Sequence, residues 1–311
     1  DKNLKISEDA KFITEILFKK CKYGIISSSI YYYRRNFLNN SAIQTSLDNK
    51  SWYLDTPIHF YQWLCDFSIK KFGDVIPYAK YILVYDFQWR LFTEISNVLT
   101  EQERELYIST IRRLLNHIDD EFIIENSNYN IYNKIYTLNF KYDFNNKLHI
   151  NNDDIYYNNI FIGNSKRLFV TINNIEIKND NLILYGTLPK IDNIIEKIFI
   201  VDQNNKKYEF TYYDLDVNTG NYSCIDKKHK IYRKGIHIVL PLKGITNLKF
   251  ITSKNAEISF NFSYSAKIND TFRSLYLNNE NYILKNNKIN NCLDIYSNNL
   301  LNKMNECPFP H

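Results

Sequence analysis

A chain of 311 residues allows about two domains, and 44% hydrophobic residues are enough to build real cores. The formal charge of +5 comes from interleaved acids and bases, which gives no electrostatic case for a nucleic-acid partner. Five cysteines (Cys21, Cys65, Cys224, Cys292, Cys307) are too scattered for a Cys-x-x-Cys metal site or a disulfide framework, and no run reaches the ~20 apolar residues needed to cross a bilayer.

The first predicted helix spans 8–22. Ser7, Glu8 and Asp9 lead into an apolar pattern at Phe12, Ile13, Ile16 and Leu17. Acids at that place are stabilised by the free N–H groups and the positive dipole end of a helix, so ordinary capping explains them. Residues 23–35 read as one or two strands. Tyr31-Tyr32-Tyr33-Arg34-Arg35 ends this run, and a polar loop with Ser41 follows. Thr56-Pro57 opens a second helix, with the hydroxyl at the cap, proline in the first turn and Gly73 as terminator. Its expected face is Phe60, Trp63, Leu64, Phe67 and Ile69. Ile76-Pro77 starts a third helix, and Thr100 with Glu103 forms the capping box of a fourth. The fourth carries a stripe of Leu106, Ile108, Ile111, Leu114, Leu115 and Ile118.

From about residue 133 the hydrophobic period becomes alternating. Strands are predicted at 134–142, 167–177, 181–188, 195–202, 206–212, 230–240, 246–252 and 256–264, with a hairpin-like pair around Asn286-Asn287. Short strands at this spacing argue for a β-sandwich of immunoglobulin-like type. The bias towards Asn, Ile, Lys, Tyr and Phe reads as that of an AT-rich bacterial genome, so the asparagine-rich stretches carry no weight. The polar segment Glu125–Asn130 suits a hinge. The expected organisation is therefore 1–55, a helical unit at 56–125, a β-sandwich linker or accessory domain at 133–290, and the start of a further element at 291–311.

An acidic pair, a helix, a strand, then Tyr-Arg-Arg and Asn-Ser resembles the C-terminal end of the catalytic domain of family-2 (GT-A) glycosyltransferases. These are the inverting enzymes of cell-wall and capsule synthesis. Tyr85-Asp86-Phe87-Gln88-Trp89-Arg90, with Ile118-Asp119-Asp120, is similar to a stretch in bacterial proteins that fuse such a transferase to a CDP-glycerol glycerophosphotransferase. The resemblance implies an α+β chain: the end of a GT-A domain, a helical unit, then the sandwich. It puts Asp9 at the catalytic base position with Glu8 beside it. Arg34 or Arg35, with Ser41, takes the donor pyrophosphate; the family pattern is Arg-x-Arg, whereas these arginines are adjacent.

By the same resemblance the chain begins inside a transferase domain, the eight residues before Asp9 leaving no room for the nucleotide-binding half. Mg or Mn is expected in the parent through ligands absent from this chain, and the piece alone is expected to be inactive. The implied partners are a sugar nucleotide and a polysaccharide acceptor of capsule or teichoic-acid type. The implied location is the cytoplasm, at the inner face of the cell membrane, with peripheral membrane association of the parent. The competing reading is a non-catalytic β-rich carbohydrate-binding or spacer module. In it, Tyr212, Tyr213, Tyr222, Tyr232 and Tyr264 are candidate sugar-stacking side chains. Tyr85 with Trp89, and Asp86 with Arg90, share helix faces, where aromatic packing and an intrahelical ion pair are the plain expectation.

Overall fold

A computed structural model describes residues 4, 6–20, 22, 24, 28, 30, 45–145, 147–189, 197–215, 224–226, 233–262, 276–278, 282–287 and 289–297. The chain is α+β, with seven α-helices followed by fourteen strands among the described residues. It divides into two compact units. The first comprises Asp1–Asn133, Thr137–Phe144 and Ser223–His229, and the second Lys134–Tyr136, Asn145–Tyr222 and Lys230–His311.

In the helical unit, α1 (Glu8–Lys20) is followed by α2 (Lys50–Tyr53), a π-helical turn (Pro57–Gln62) running into α3 (Trp63–Phe72), α4 (Pro77–Leu91), α5 (Glu101–Leu115) and α6 (Asp120–Ile124). The stop and start signals act as expected at Gly73, whose φ of 85° ends α3, at Pro77, and at the Thr100–Glu103 capping box. Thr56 differs. It is already helical, and its hydroxyl lies near the carbonyls of Ser51 (3.3 Å) and Ile6 (3.4 Å) instead of capping. On α5 the buried stripe runs through Tyr107, Ile111, Leu114 and Leu115, while Leu106 is exposed.

Residues 134–142, predicted as a strand, belong to α7 (Ile131–Lys141). The Asn130 side chain accepts the Asn133 N–H and caps this helix. Buried Ile131, Ile135 and Leu138 recur at i, i+4 and i+7, a helical period that overrides the β-prone composition. The expected hinge is also corrected. Tyr129 is buried and its hydroxyl donates to the Val84 carbonyl (3.0 Å), and Asn126 is buried with its side chain on Asn128 N (2.9 Å), so 125–130 is fastened within the helical unit.

The second unit contains a three-stranded antiparallel sheet that the sequence reading lacks: β1 (Leu148–Asn151), β2 (Asp154–Tyr157) and β3 (Ile160–Asn164). The remaining strands are β4 (Phe169–Lys178), β5 (Asn181–Pro189), β6 (Ile198–Asp202), β7 (Lys207–Tyr208), β8 (Thr211–Asp214), β9 (Arg233–Pro241), β10 (Asn247–Thr252), β11 (Glu257–Phe262), β12 (Tyr276–Asn278), β13 (Tyr282–Asn287) and β14 (Cys292–Ser297). They form one mixed sheet ordered β12-β13-β14-β10-β11-β4-β5-β9-β8, with β6 on β10 and β7 on β6. The β11–β4 pairing is parallel and the other pairings are antiparallel. Ile172, Leu184, Ile200, Phe250, Phe260 and Leu293, from six strands, surround a residual void of about 10 Å³, so these strands share one apolar cluster.

Candidate functional site

The acidic pair occupies the first turn of α1, where Glu8 and Asp9 are both exposed. Asp9 Oδ1 accepts the Ala10 N–H at 2.7 Å, and the carbonyl of Ser7 accepts from Lys11 at 3.0 Å. Ser7 stands at φ 68°, in the left-handed region that a serine enters at a cost. The chain therefore turns sharply just before the two carboxylates.

One face of α1 is tied down. Buried Lys11 lies 5.0 Å over the Trp63 ring, and Phe18 stacks on Phe67 at 5.3 Å and meets Phe72 and Tyr78 edge-on. Lys71 donates to the Phe18 carbonyl. The other face is bare. Phe12, Ile13 and Ile16 are 63%, 54% and 42% exposed. Side chains four apart share a helix face, so Glu8 and Asp9 head this apolar stripe. Arg34, Arg35 and Ser41 lie outside the described residues.

The Tyr85–Arg90 motif divides into two functions on α4. Arg90 is 2% exposed and is a keystone. Its Nε donates to Tyr61 Oη (2.7 Å) and its Nη1 to the Trp52 carbonyl (2.5 Å). The guanidinium lies 4.1 Å from the Trp52 ring centroid and 4.9 Å from that of Tyr61. Tyr61 in turn donates to Asp86 Oδ2 at 2.9 Å. The expected Asp86–Arg90 pair is thus relayed through a phenol on another helical segment. Burial pushes the Asp86 carboxyl above its usual range, against the opposing pull of Arg90 and the Tyr61 hydroxyl. Burial likewise raises Tyr61 well above the ordinary phenol. Tyr85 and Trp89 face solvent instead, and Tyr81 one turn earlier extends their row.

In the second unit the candidate tyrosines separate. Tyr212 points inward, its hydroxyl donating to the Ile198 carbonyl (3.1 Å) and accepting the Ile198 N–H (2.8 Å). Tyr213 is exposed, with its ring over Gly235. Tyr222, Tyr232 and Tyr264 lie outside the described residues.

Over about 40% of its length the chain is homologous to two proteins of Bacillus subtilis. It is similar to the minor teichoic acid biosynthesis protein GgaB, 38% identical over 128 residues, 40% of this chain and 14% of that one. It is also similar to the minor teichoic acid biosynthesis protein GgaA, 30% identical over 129 residues, 40% of this chain and 29% of that one. The chain therefore spans less than a third of either relative. A solved structure, that of S. aureus TarS, aligns with 82% of this chain and 53% of its own, at 13% identity and a TM-score of 0.38. No family model matches.

Among the described residues there is no group of three or more His, Cys, Asp or Glu that could hold a metal ion. Among them, too, no helix is long and apolar enough to cross a membrane.

Proposed function

We propose that this chain belongs to a sugar-nucleotide-dependent inverting glycosyltransferase of teichoic-acid or other cell-surface polysaccharide synthesis. In this reading α1 is the end of a GT-A domain, and the second unit is a sandwich-like accessory domain. Asp9, with Glu8 beside it, takes the proton of the acceptor hydroxyl. That oxygen attacks the anomeric carbon, and the nucleotide diphosphate leaves from the opposite face with the bonding electrons. Arg34 or Arg35, with Ser41, would hold the leaving pyrophosphate, a task suited to planar guanidinium donors.

One observation carries the reading: a helix anchored on one side offers two exposed carboxylates at the head of an uncovered apolar stripe. A carboxylate that served only to cap would need no such surroundings. Similarity to proteins of minor teichoic acid biosynthesis supports the polymer class.

The test is Asp9→Asn in the enzyme that contains this chain, assayed at saturating donor and acceptor. Asparagine keeps the size and some capping capacity but takes no proton near neutral pH. Loss of a general base should lower turnover by ~10²–10⁴ with donor binding intact. A cap change alone costs about 0.5–2 kcal/mol of stability and leaves the rate per folded molecule unchanged. Turnover within a few-fold of wild type returns the pair to capping.

A further inference from the structure

The second unit carries a trough on the outer face of its sheet. Side chains alternate along a strand, so Val201, Lys249 and Ile251 face away from the core that Ile200, Leu248 and Phe250 fill. Two concavities adjoin there. The larger, of about 600 Å³, has a floor of Val201 and Ile251 and a rim that includes Asn205, Lys207, Asn247 and Asn255. The smaller, of about 490 Å³, is lined by Lys166, Ser259, Asn290 and Asn291 among others. Lys249 and Glu257 line both. Each volume is within the ~300–1,000 Å³ of ordinary small-ligand sites.

The centre of the trough is fixed in advance. The Glu257 carboxylate lies 3.0 Å from Lys249 Nζ and 3.2 Å from Lys166 Nζ, and the Glu257 N–H donates to Asp153 Oδ1 at 2.9 Å. The rim is fixed as well. Asp202 accepts from Asn204 N (2.8 Å), Lys206 N (3.0 Å) and the Tyr208 hydroxyl (3.0 Å). Gln203 bridges to the Gly244 carbonyl (2.7 Å) and Thr246 N (3.0 Å). Little ordering is left for a ligand to impose. Lys249 and Glu257 still keep 35% and 25% of their side-chain surface exposed, so both retain hydrogen-bonding capacity.

The chemistry of the lining selects the ligand. Lys166, Lys207 and Lys249 are matched by Asp153, Asp202 and Glu257, which leaves no net field for a polyanion. None of the described lining residues is aromatic, so there is no platform for a nucleobase. The apolar lining is three side chains, Val201 and Ile251 in the floor and exposed Ile289 at one end, too little for a lipid or an apolar peptide. What remains is a dense set of adjacent donors and acceptors. An ammonium beside a carboxylate suits neighbouring hydroxyls, one accepting and one donating, and each asparagine amide can do both. We propose that this trough binds a neutral, polyhydroxylated chain, an oligosaccharide lying across β6, β10 and β11. The proposal involves neither α1 nor transfer chemistry, so it stands or falls apart from the transferase reading.

Titration calorimetry of the whole chain with chitotriose, maltotriose and a glycerol-phosphate oligomer tests it. At least one neutral trisaccharide should bind saturably, with little dependence on salt. Glu257→Gln should weaken that binding about tenfold, the loss expected for one charged hydrogen bond. Because Glu257 also supports the fold, a second variant is needed. Asn205→Gly with Asn247→Ala removes two rim amides, and glycine accepts the φ of 61° at residue 205. This pair should weaken binding several-fold with an unchanged melting temperature. The proposal is overturned if neither trisaccharide binds, if the double variant binds as wild type, or if only the glycerol-phosphate oligomer binds and does so with steep salt dependence.

Discussion

In the helical unit charge is buried and hydrocarbon is shown. Arg90, Lys141 and Asp120 lie inside, Lys141 reaching Asp120 at 2.6 Å, while Phe12, Ile13, Tyr81, Tyr85 and Trp89 face solvent. In the β unit the rows alternate: Ile236, Ile238 and Leu240 point in, and His237 and Val239 point out. The first unit is stitched by a few directional contacts between helices, the second by a periodic pattern repeated over many strands. A keystone fails when one residue goes, whereas a periodic core spreads its load.

The largest expected effect is therefore Arg90→Met. It removes the partner of Tyr61 and of the Trp52 carbonyl and strips the counter-charge from Asp86, so it should cost about 3–5 kcal/mol. All three tryptophans (Trp52, Trp63, Trp89) lie in the helical unit, so tryptophan fluorescence during urea unfolding reads this unit alone. Arg90→Lys should also be damaging, because an ammonium cannot stack on two rings and bond in two directions. A loss below about 1 kcal/mol, as for an exposed charge pair, would dissolve the contrast.

Next come two glycines of the β unit. A methyl at Gly186 would sit 2.5 Å from the Thr171 carbonyl oxygen, which is backbone, while one at Gly235 would meet the Tyr213 ring at 2.2 Å. The ring is half exposed and can swing away; the carbonyl cannot. Gly186→Ala should cost about 1–3 kcal/mol and Gly235→Ala distinctly less. Amide exchange of β5 and β9 measures both. Equal costs would mean that the sheet yields as readily as a side chain.

The smallest effect is a difference in sign. Asp86 is raised by burial, so its contribution is full below its unfolded pKa and is lost as pH rises through the folded value. Asp202 is lowered. Burial pushes it up, but the N–H groups of Lys206 and Asn204 and the Tyr208 hydroxyl outweigh that. Its contribution is full above its unfolded pKa and is lost as pH falls through the folded one. Asp86→Asn and Asp202→Asn should flatten opposite limbs of the stability profile, seen by tryptophan fluorescence and by β10 amide exchange respectively. Flattening of the same limb by both would refute the assignment.

The sequence was most legible where single residues carry the geometry. Pro77, Gly73 and the Thr100–Glu103 box bound helices because each answers a specific need of a helix end. It was least legible where one residue type served two causes. The asparagine-rich stretches were set aside as genomic bias, yet Asn152, Asn158, Asn255 and Asn291 all stand at positive φ. They mark chain reversals that few other side chains tolerate, and two of them separate the missed strands β1, β2 and β3. The acidic pair was found, since Glu8 and Asp9 open α1, but its bare surroundings were not. Phe12, Ile13 and Ile16 have the spacing of a buried face, and periodicity cannot say what covers it. The Asp86–Tyr61–Arg90 relay joins residues 25 and 29 positions apart, beyond any spacing rule.

The parallel pairing of β11 with β4 sets a timetable for synthesis. Ser165, just before β4, donates to the carbonyl of Glu257, a residue made 92 positions later. At roughly 5–20 residues per second, the ribosome needs about 5–20 s to supply that partner. Until then β4 presents an open edge to every other nascent chain nearby, and loop closure over such a span is slow. The stretch that waits is short, Phe169 to Ile172, and Thr171 is its one polar side chain.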